Sequence, residues 1–532
     1  MASDKSVALD RSRSMSYIPF SVSKLTTTVL VFLLLLLLLS RASANHKTTN
    51  HVTSYPNYQH LNVLGAIAST KQHPFSDDTK LKGHANQQSK TVISASHDYN
   101  NDNINKQLRN SSNLLSLKLK LVHRDHLEPA SKQNNHRSRL ARRLQRDVTR
   151  VRMLVSRVSN TSSSTAGIYD YKVASFGGEV VSGMDEGSGE YFVGIGVGSP
   201  ARKQYMVIDS GSDIVWVQCQ PCNQCYRQSD PVFNPAQSNS YSGVSCSASV
   251  CDRVENSGCS HSGRCRYEVV YSDGSFTKGT MAFETVTLGG TTVRNVAIGC
   301  GHSNQGMFVG AAGLLGLGSG SMSFVGQLGG QIGGAFSYCL PTRGSGAAAG
   351  SLVFGREAMP EGAAWINLVR NPRAPSFYYV QLAGLGVGGT RVPVPGGVFS
   401  LAESGGGGMI VDTGTAVTRL PTTAYVSFRD AFVSQTANLP RSTGVSIFDT
   451  CYDLGEFTTV RVPTVSFYFA DGPILTLPAR NFLIPVDETG TFCFAFAPSP
   501  SGLSIIGNIQ QEGIQISIDG ANGYVGFGPN VC

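Results

Sequence analysis

Apolar and polar positions divide the chain into three regimes. In the first, the unbroken run "LTTTVLVFLLLLLLL" (Leu25 to Leu39) follows a segment carrying Lys5, Arg11, Arg13 and Lys24, and precedes "SRASA". A basic region, an apolar core and an A-x-A pattern at Ala42 and Ala44 predict a secretory signal over residues 1–44, cut after Ala44. A membrane anchor is the competing reading, but the apolar core is short for a bilayer span. The second regime spans residues 45–170. From Asn45 to about Asn113 it is rich in Asn, Ser, His, Lys and Gln, too polar to offset the entropy of ordering, so this part is expected to be disordered. "LKLKLVHRD" (Leu117 to Asp125) then alternates like a half-exposed strand. After it, Leu140, Leu144, Val148, Val151, Val155 and Val158 recur at three or four, the period of an amphipathic helix.

The third regime begins near "GSGEYFVGIGVGSP" (Gly187 to Pro200) and continues to Cys532. Short β-rich runs such as "QYMVID", "DIVWV", "CRYEVVY", "VRNVAIGC", "TVSFYF" and "GIQISI" are parted by Gly, Pro and Ser. "TAYVSFRDAFVSQTANL" (Thr423 to Leu439) is the clearest helix. This length suits two β domains, expected over residues 187–350 and 370–532. Two features repeat in the same order. "VIDSGSDIVWV" (207–217) is followed by "AAGLLGLG" (311–318), and "MIVDTGTAVTRL" (409–420) is followed by "LSIIGN" (503–508).

Charge sharpens the division. Residues 1–170 hold 24 Lys and Arg against 10 Asp and Glu, whereas residues 171–532 hold 19 against 25. The helical stretch has nine basic residues between Lys132 and Arg157 and one acid, Asp147. It could be a solvated helix of no special role, or it could pair with the acidic half of its own chain. Nucleic-acid binding gains little support, because the positive charge sits outside the regime that looks folded. All 12 cysteines lie between Cys219 and Cys532; an even number behind a secretion signal predicts disulfides in an oxidising compartment. Cys219, Cys222 and Cys225 invite a zinc reading, but no second ligand set stands at finger spacing, so no metal is expected. Asn110 and Asn160 head the sequons "NSS" and "NTS", making them glycosylation candidates that maturation would remove.

Each repeated motif taken alone is most simply a strand ending in a polar turn. Taken together, Asp209 and Asp412 can face one another as two halves of one site. Carboxylates within hydrogen-bond distance share a proton over a mildly acidic range. One can then accept a proton from water while the other donates to a carbonyl oxygen, which hydrolyses an amide without metal, cofactor or covalent intermediate. In that arrangement Gly211 and Gly414 let the backbone approach the carboxylates. Ser212 and Thr415 can orient the acids, and Ser210 and Thr413 can brace one loop against the other.

These residues carry a family resemblance. "IDSGSDIVWVQCQPC", "YSDGSFTKG", "GLLGLG", "IVDTGTAVTRLP" and "SIIGNIQQEGIQISID" are similar to the pepsin-type aspartic proteases, specifically their plant nepenthesin-like branch, from about Val180 to Cys532; "LVHRD" and the basic helix resemble that family's propeptide. The resemblance implies an all-β, bilobal pepsin-like aspartic protease fold with the active site between two similar lobes. It makes Asp209 and Asp412 the catalytic pair and Tyr271 the flap tyrosine. It suggests the bridges Cys219–Cys222, Cys225–Cys300, Cys246–Cys265, Cys251–Cys259, Cys339–Cys532 and Cys451–Cys493. Ser210 stands where Thr is usual, which costs a methyl and keeps the hydroxyl. Ser272 replaces a frequent flap glycine.

The function expected from these features is an aspartic endopeptidase, made as a secretory zymogen whose own basic propeptide inhibits it. It is expected to be a monomer without cofactor or stable membrane anchor, acting on proteins or peptides, with the extracellular space favoured over endoplasmic reticulum or vacuole. The alternative is a catalytically inactive binding or inhibitory protein on the same scaffold.

Overall fold

The computed structural model describes residues 57–70, 91–95, 117–124, 135–159, 191–270, 275–306, 308, 310–342, 350–356, 359–360, 362–529 and 532. The leader over residues 1–44, Asn110, Asn160, Tyr271 and Ser272 lie outside the described residues.

Two lobes repeat one strand arrangement. In the first, Arg202–Asp209 runs parallel to Gly313–Gly316, so that Asp209 lies beside Gly316, and Gly313–Gly316 is antiparallel to Trp216–Gln218. In the second, Met409–Val411 runs parallel to Ser504–Ile506, which is paired antiparallel with Thr418–Pro421 through Arg419 and Ile505. "GLLG" and "SII" are therefore the buried partners of the strands that deliver the two aspartates. Both are uninterrupted apolar or small-residue runs, as a strand covered on both faces requires. The long hairpin of Phe276–Leu288 and Thr291–Gln305 completes the first lobe.

The lobes share a continuous sheet. Tyr191–Val197, Leu117–His123, Gly350–Phe354, Ala335–Cys339, Ile514–Asp519, Tyr524–Pro529 and Ala364–Val369 lie side by side in that order. The strand Leu117–His123 thus enters the sheet from the basic front half of the chain. Lys118 and Lys120 face out while Leu119 and Leu121 are buried, the alternation its sequence shows.

The polar stretch read as disordered departs from expectation where it is described. Tyr58–Asn62 pairs with Thr459–Pro463, and Thr91–Ser94 pairs parallel with Thr291–Arg294. Edge pairing satisfies backbone groups that a polar composition leaves out of account, and Leu61 and Val63 supply buried apolar anchors. The helix expected over Thr423 to Leu439 spans Thr422–Gln435, burying Ala424, Tyr425, Phe428 and Phe432. It stops where the Thr436 hydroxyl turns back onto the Phe432 carbonyl at 2.8 Å, shortly before Pro440 restricts the chain.

All 12 cysteines are bridged. Cys339–Cys532 and Cys451–Cys493 are paired as the resemblance implied. The other four bridges differ, being Cys219–Cys300, Cys222–Cys225, Cys246–Cys259 and Cys251–Cys265. The reason is strand register. Trp216–Gln218 runs parallel to Gly299–Gly301, which brings Cys219 within 5.3 Å of Cys300 between Cα atoms and leaves Cys222 and Cys225 to each other. The three cysteines weighed as a zinc cluster are consumed in these bonds. Among the described residues, no helix is long and apolar enough to cross a membrane.

Candidate functional site

Asp209 ends its strand and Asp412 follows its own, both buried. The two turns are clasped reciprocally. Ser210 N–H donates to Thr413 Oγ1 at 3.1 Å, and Thr413 N–H donates to Ser210 Oγ at 3.0 Å. Each hydroxyl then donates onward to a carbonyl of the opposite strand, Ser210 to Val411 at 3.4 Å and Thr413 to Ile208 at 3.3 Å. The serine hydroxyl therefore retains the clasp without the methyl of a threonine. Ser212 Oγ donates to Asp209 Oδ2 at 2.6 Å, and Thr415 Oγ1 to Asp412 Oδ2 at 2.5 Å. Gly211 N–H donates to Asp209 Oδ1 at 3.0 Å. The structure thus brings together all eight residues of the two motifs.

The space between the carboxylates belongs to Arg150. Its Nη2 donates to Asp209 Oδ1 at 2.5 Å and to Asp412 Oδ1 at 2.8 Å; Nη1 reaches Asp209 Oδ2 at 3.1 Å and Nε reaches Asp412 Oδ2 at 3.0 Å. One planar guanidinium therefore engages all four carboxylate oxygens, the geometry for which arginine is suited. The two glycines make room for it. A Cβ on Gly211 would lie 2.4 Å from Arg150 Nη2, and one on Gly414 2.8 Å from Arg150 Cζ.

Arg150 is carried by the helix His136–Ser159, which lies in the cleft as a buried element. The bland reading, a solvated helix, is therefore corrected. Leu140 and Leu144 pack with Ala416, Val417, Ile484 and Ile509 of the second lobe. Val151, Leu154 and Val158 pack with Phe192, Ile214, Trp216 and Phe308 of the first. Polar anchors run along the same helix. Arg139 donates to the Thr70 carbonyl at 2.8 Å, and Arg143 to Asn508 and, at 3.4 Å, Glu512. Arg157 donates to the Gly211 carbonyl at 2.9 Å. Asp147, the lone acid, accepts from Ala416 N–H at 2.5 Å, Val417 N–H at 3.0 Å and the Arg419 guanidinium.

Charge follows from this packing. Burial alone would raise the Asp209 carboxyl, but Arg150, the Ser212 hydroxyl and the Gly211 N–H favour its ionised form and hold it below the ordinary carboxylate range. Burial works against the Arg150 charge, yet the two carboxylates hold it more firmly protonated than a free guanidinium. Asp213, next along the chain, goes the other way. Burial raises it despite hydrogen bonds from Ser376 and Gly320 N–H. Burial also lifts Glu512 to about 6, against the pull of Arg143 and the Tyr191 hydroxyl, which donates to it at 3.0 Å.

Sequence reasoning did not single out Arg150, Arg419, Asn508 or Gln511. Asn508 Nδ2 braces the second turn through the Thr413 carbonyl at 2.8 Å, and Gln511 Nε2 through the Asp412 carbonyl at 3.2 Å. A signal for Asp147 is present in the sequence, since one acid among eight arginines on a helix invites a specific explanation.

Comparison with known proteins places both lobes. The family models "Xylanase inhibitor N-terminal" and "Xylanase inhibitor C-terminal" match residues 191–356 and 377–529. The chain is 67% identical over 442 residues to "Protein ASPARTIC PROTEASE IN GUARD CELL 2" of Arabidopsis thaliana, covering 83% of this chain and 92% of that one. It is 39% identical over 352 residues to "Aspartic proteinase nepenthesin-1" of Nepenthes gracilis, covering 65% and 79% respectively. The crystal structure of edgp shares the fold, with a TM-score of 0.55 and 20% identity over 64% of this chain and 92% of that one.

These findings correct the expectation of a hydrolytic enzyme, an acting endopeptidase with protein substrates. The models that match the two lobes are described as those of xylanase inhibitors. The physical counterpart is that Arg150 fills the position between the carboxylates that a reacting water would need. Its positive charge also takes the place of the shared proton on which acid–base hydrolysis depends. By its sequence, its two-lobed β architecture and its paired Asp-Ser-Gly and Asp-Thr-Gly turns, the chain belongs to the pepsin-type aspartic protease family, in the plant nepenthesin-like branch.

Proposed function

We propose that this chain is a non-catalytic, protein-binding member of its family, which acts by receiving a polypeptide segment in the cleft between its lobes. The observation that carries this reading is the four-contact seat of Arg150 between Asp209 and Asp412. Here the paired carboxylates recognise a cation rather than activate water. Ser210, Gly211, Ser212, Thr413, Gly414 and Thr415 shape that seat. The receptor comprises residues 187–350 and 370–532. Within residues 45–170, the helix His136–Ser159 is the resident occupant, which a partner segment replaces. The description of the matching family models as xylanase inhibitor supports an inhibitory or binding role. The six disulfides and the leader over residues 1–44 support delivery through the secretory pathway to the extracellular space.

The test is incubation of the full chain and its Asp209→Asn variant with an unspecific protein substrate from about pH 3, where a carboxylate pair can share one proton, to about pH 7. The expected result is no hydrolysis by either form. Hydrolysis by the native chain that Asp209→Asn abolishes overturns the proposal.

A further inference from the structure

We propose that the second lobe contains a carboxylate-binding pocket, formed by the backbone N–H groups of Ala416 and Val417 and the guanidinium of Arg419, that selects partners bearing an acidic residue. The inference rests on the proposed receptive cleft and adds a specificity determinant to it.

The pocket is defined by what fills it. One oxygen of Asp147 accepts two successive backbone N–H groups, from Ala416 at 2.5 Å and Val417 at 3.0 Å, and the other accepts from Arg419. Successive amides aimed at one oxygen make an anion site. Arg419 adds the full charge and is itself buried, its side chain 6% exposed, with the Asp147 side chain 0% exposed. Its Nε has no hydrogen-bond partner among the described residues. The site is fixed by the strand Thr418–Pro421, whose Thr418 hydroxyl accepts Gly507 N–H at 3.0 Å and whose Thr418 N–H donates to Gln510 at 3.0 Å.

Pocket and seat lie one turn apart along the occupant. Asp147 and Arg150 stand three positions apart, on one face of the helix. The carboxylate therefore docks in the pocket while the guanidinium docks on the aspartates. A buried arginine and two amides that lose their anion keep the desolvation cost without the bonds that offset it. Discrimination against occupants without a carboxylate follows. The ligand class is accordingly a helical peptide with an acidic residue followed, three positions later, by an arginine.

The experiment uses the full chain carrying Asp147→Ala and Arg150→Ala, with release of its own helix verified by hydrogen exchange. Labelled synthetic peptides of residues 136–159, with either Asp or Asn at the position of Asp147, are titrated into it. The Asp peptide is expected to bind about tenfold or more tightly than the Asn peptide, the scale of charge-assisted hydrogen bonds to a buried partner. Arg419→Met in the receptor is expected to erase that ratio. Equal affinities in the first receptor overturn the pocket and leave the receptive cleft standing. Binding of neither peptide overturns both. A second measurement needs no released helix. Asp147→Asn in the otherwise native chain is expected to speed exchange across His136–Ser159 about tenfold or more, and unchanged rates overturn the proposal.

Discussion

Ser210 and Thr413 each accept the other's backbone N–H on a side-chain hydroxyl, at 3.0 and 3.1 Å, so that two turns 203 residues apart in sequence are locked as one unit. Removing either hydroxyl strands a buried N–H. Ser210→Ala and Thr413→Val are each expected to lower stability by about 1–3 kcal/mol, measured by denaturant unfolding. Ser210→Thr should be neutral or slightly stabilising, because it keeps the acceptor and adds a methyl. An alanine variant as stable as the native chain would show that the clasp is dispensable.

Arg150 is the only cation in direct contact with both aspartates among the described residues. Arg150→Met leaves two buried carboxylates without their partner, and the expected loss of stability is about 3–5 kcal/mol. Asp209→Asn in the same chain should restore part of it by removing one of the two charges. A double variant no more stable than Arg150→Met would contradict this account.

Acid should loosen the cleft, but only at strongly acidic pH. The Asp209 carboxyl is held below its ordinary value of 3.8. Its share of stability is therefore complete above that value and is lost as pH falls through the depressed value. Protection of the helix His136–Ser159 against hydrogen exchange should not respond to this group until pH drops below about 3.8. Release centred near pH 6 would place the controlling charge elsewhere.

Glu512 works in the opposite direction. Raised from 4.5 to about 6, it holds more protons in the folded than in the unfolded chain. Its contribution is thus complete below 4.5 and is lost as pH rises through about 6, by about 2 kcal/mol in all. Glu512→Gln should flatten the stability profile over that window. An unchanged slope would assign the pH dependence to other groups.

The two aspartates were legible in the sequence because each sits in a strongly apolar strand ending in a small-residue turn, and the second motif repeats the first. The clasp was legible for the same reason. Arg150 was not, because several arginines share the helix and the one that reaches the site is decided by how the helix docks. Burial of Leu140, Leu144, Val151 and Leu154 against both lobes sets that docking. The misassigned bridges have a similar origin. The resemblance pairs Cys219 with Cys222, whereas the parallel register of Trp216–Gln218 with Gly299–Gly301 favours Cys300. The polar stretch before Asn113 was misread because edge-strand pairing depends on backbone, which composition does not report. The expected hydrolytic function rests on the intact acids, the flap tyrosine and the family resemblance, and none of these reports the residue lodged between the acids.

The strand Leu117–His123 lies between Tyr191–Val197 and Gly350–Phe354, hydrogen-bonded to both. A backbone cut between Ser159 and Tyr191 therefore breaks a covalent link without detaching what precedes it. The product would be a two-fragment complex in which the shorter piece remains an internal slat of the shared sheet. Removing that piece means opening ladders on both of its sides at once, and the remainder must then close the gap or expose two raw edges. The front of this chain is built as a subunit of the molecule.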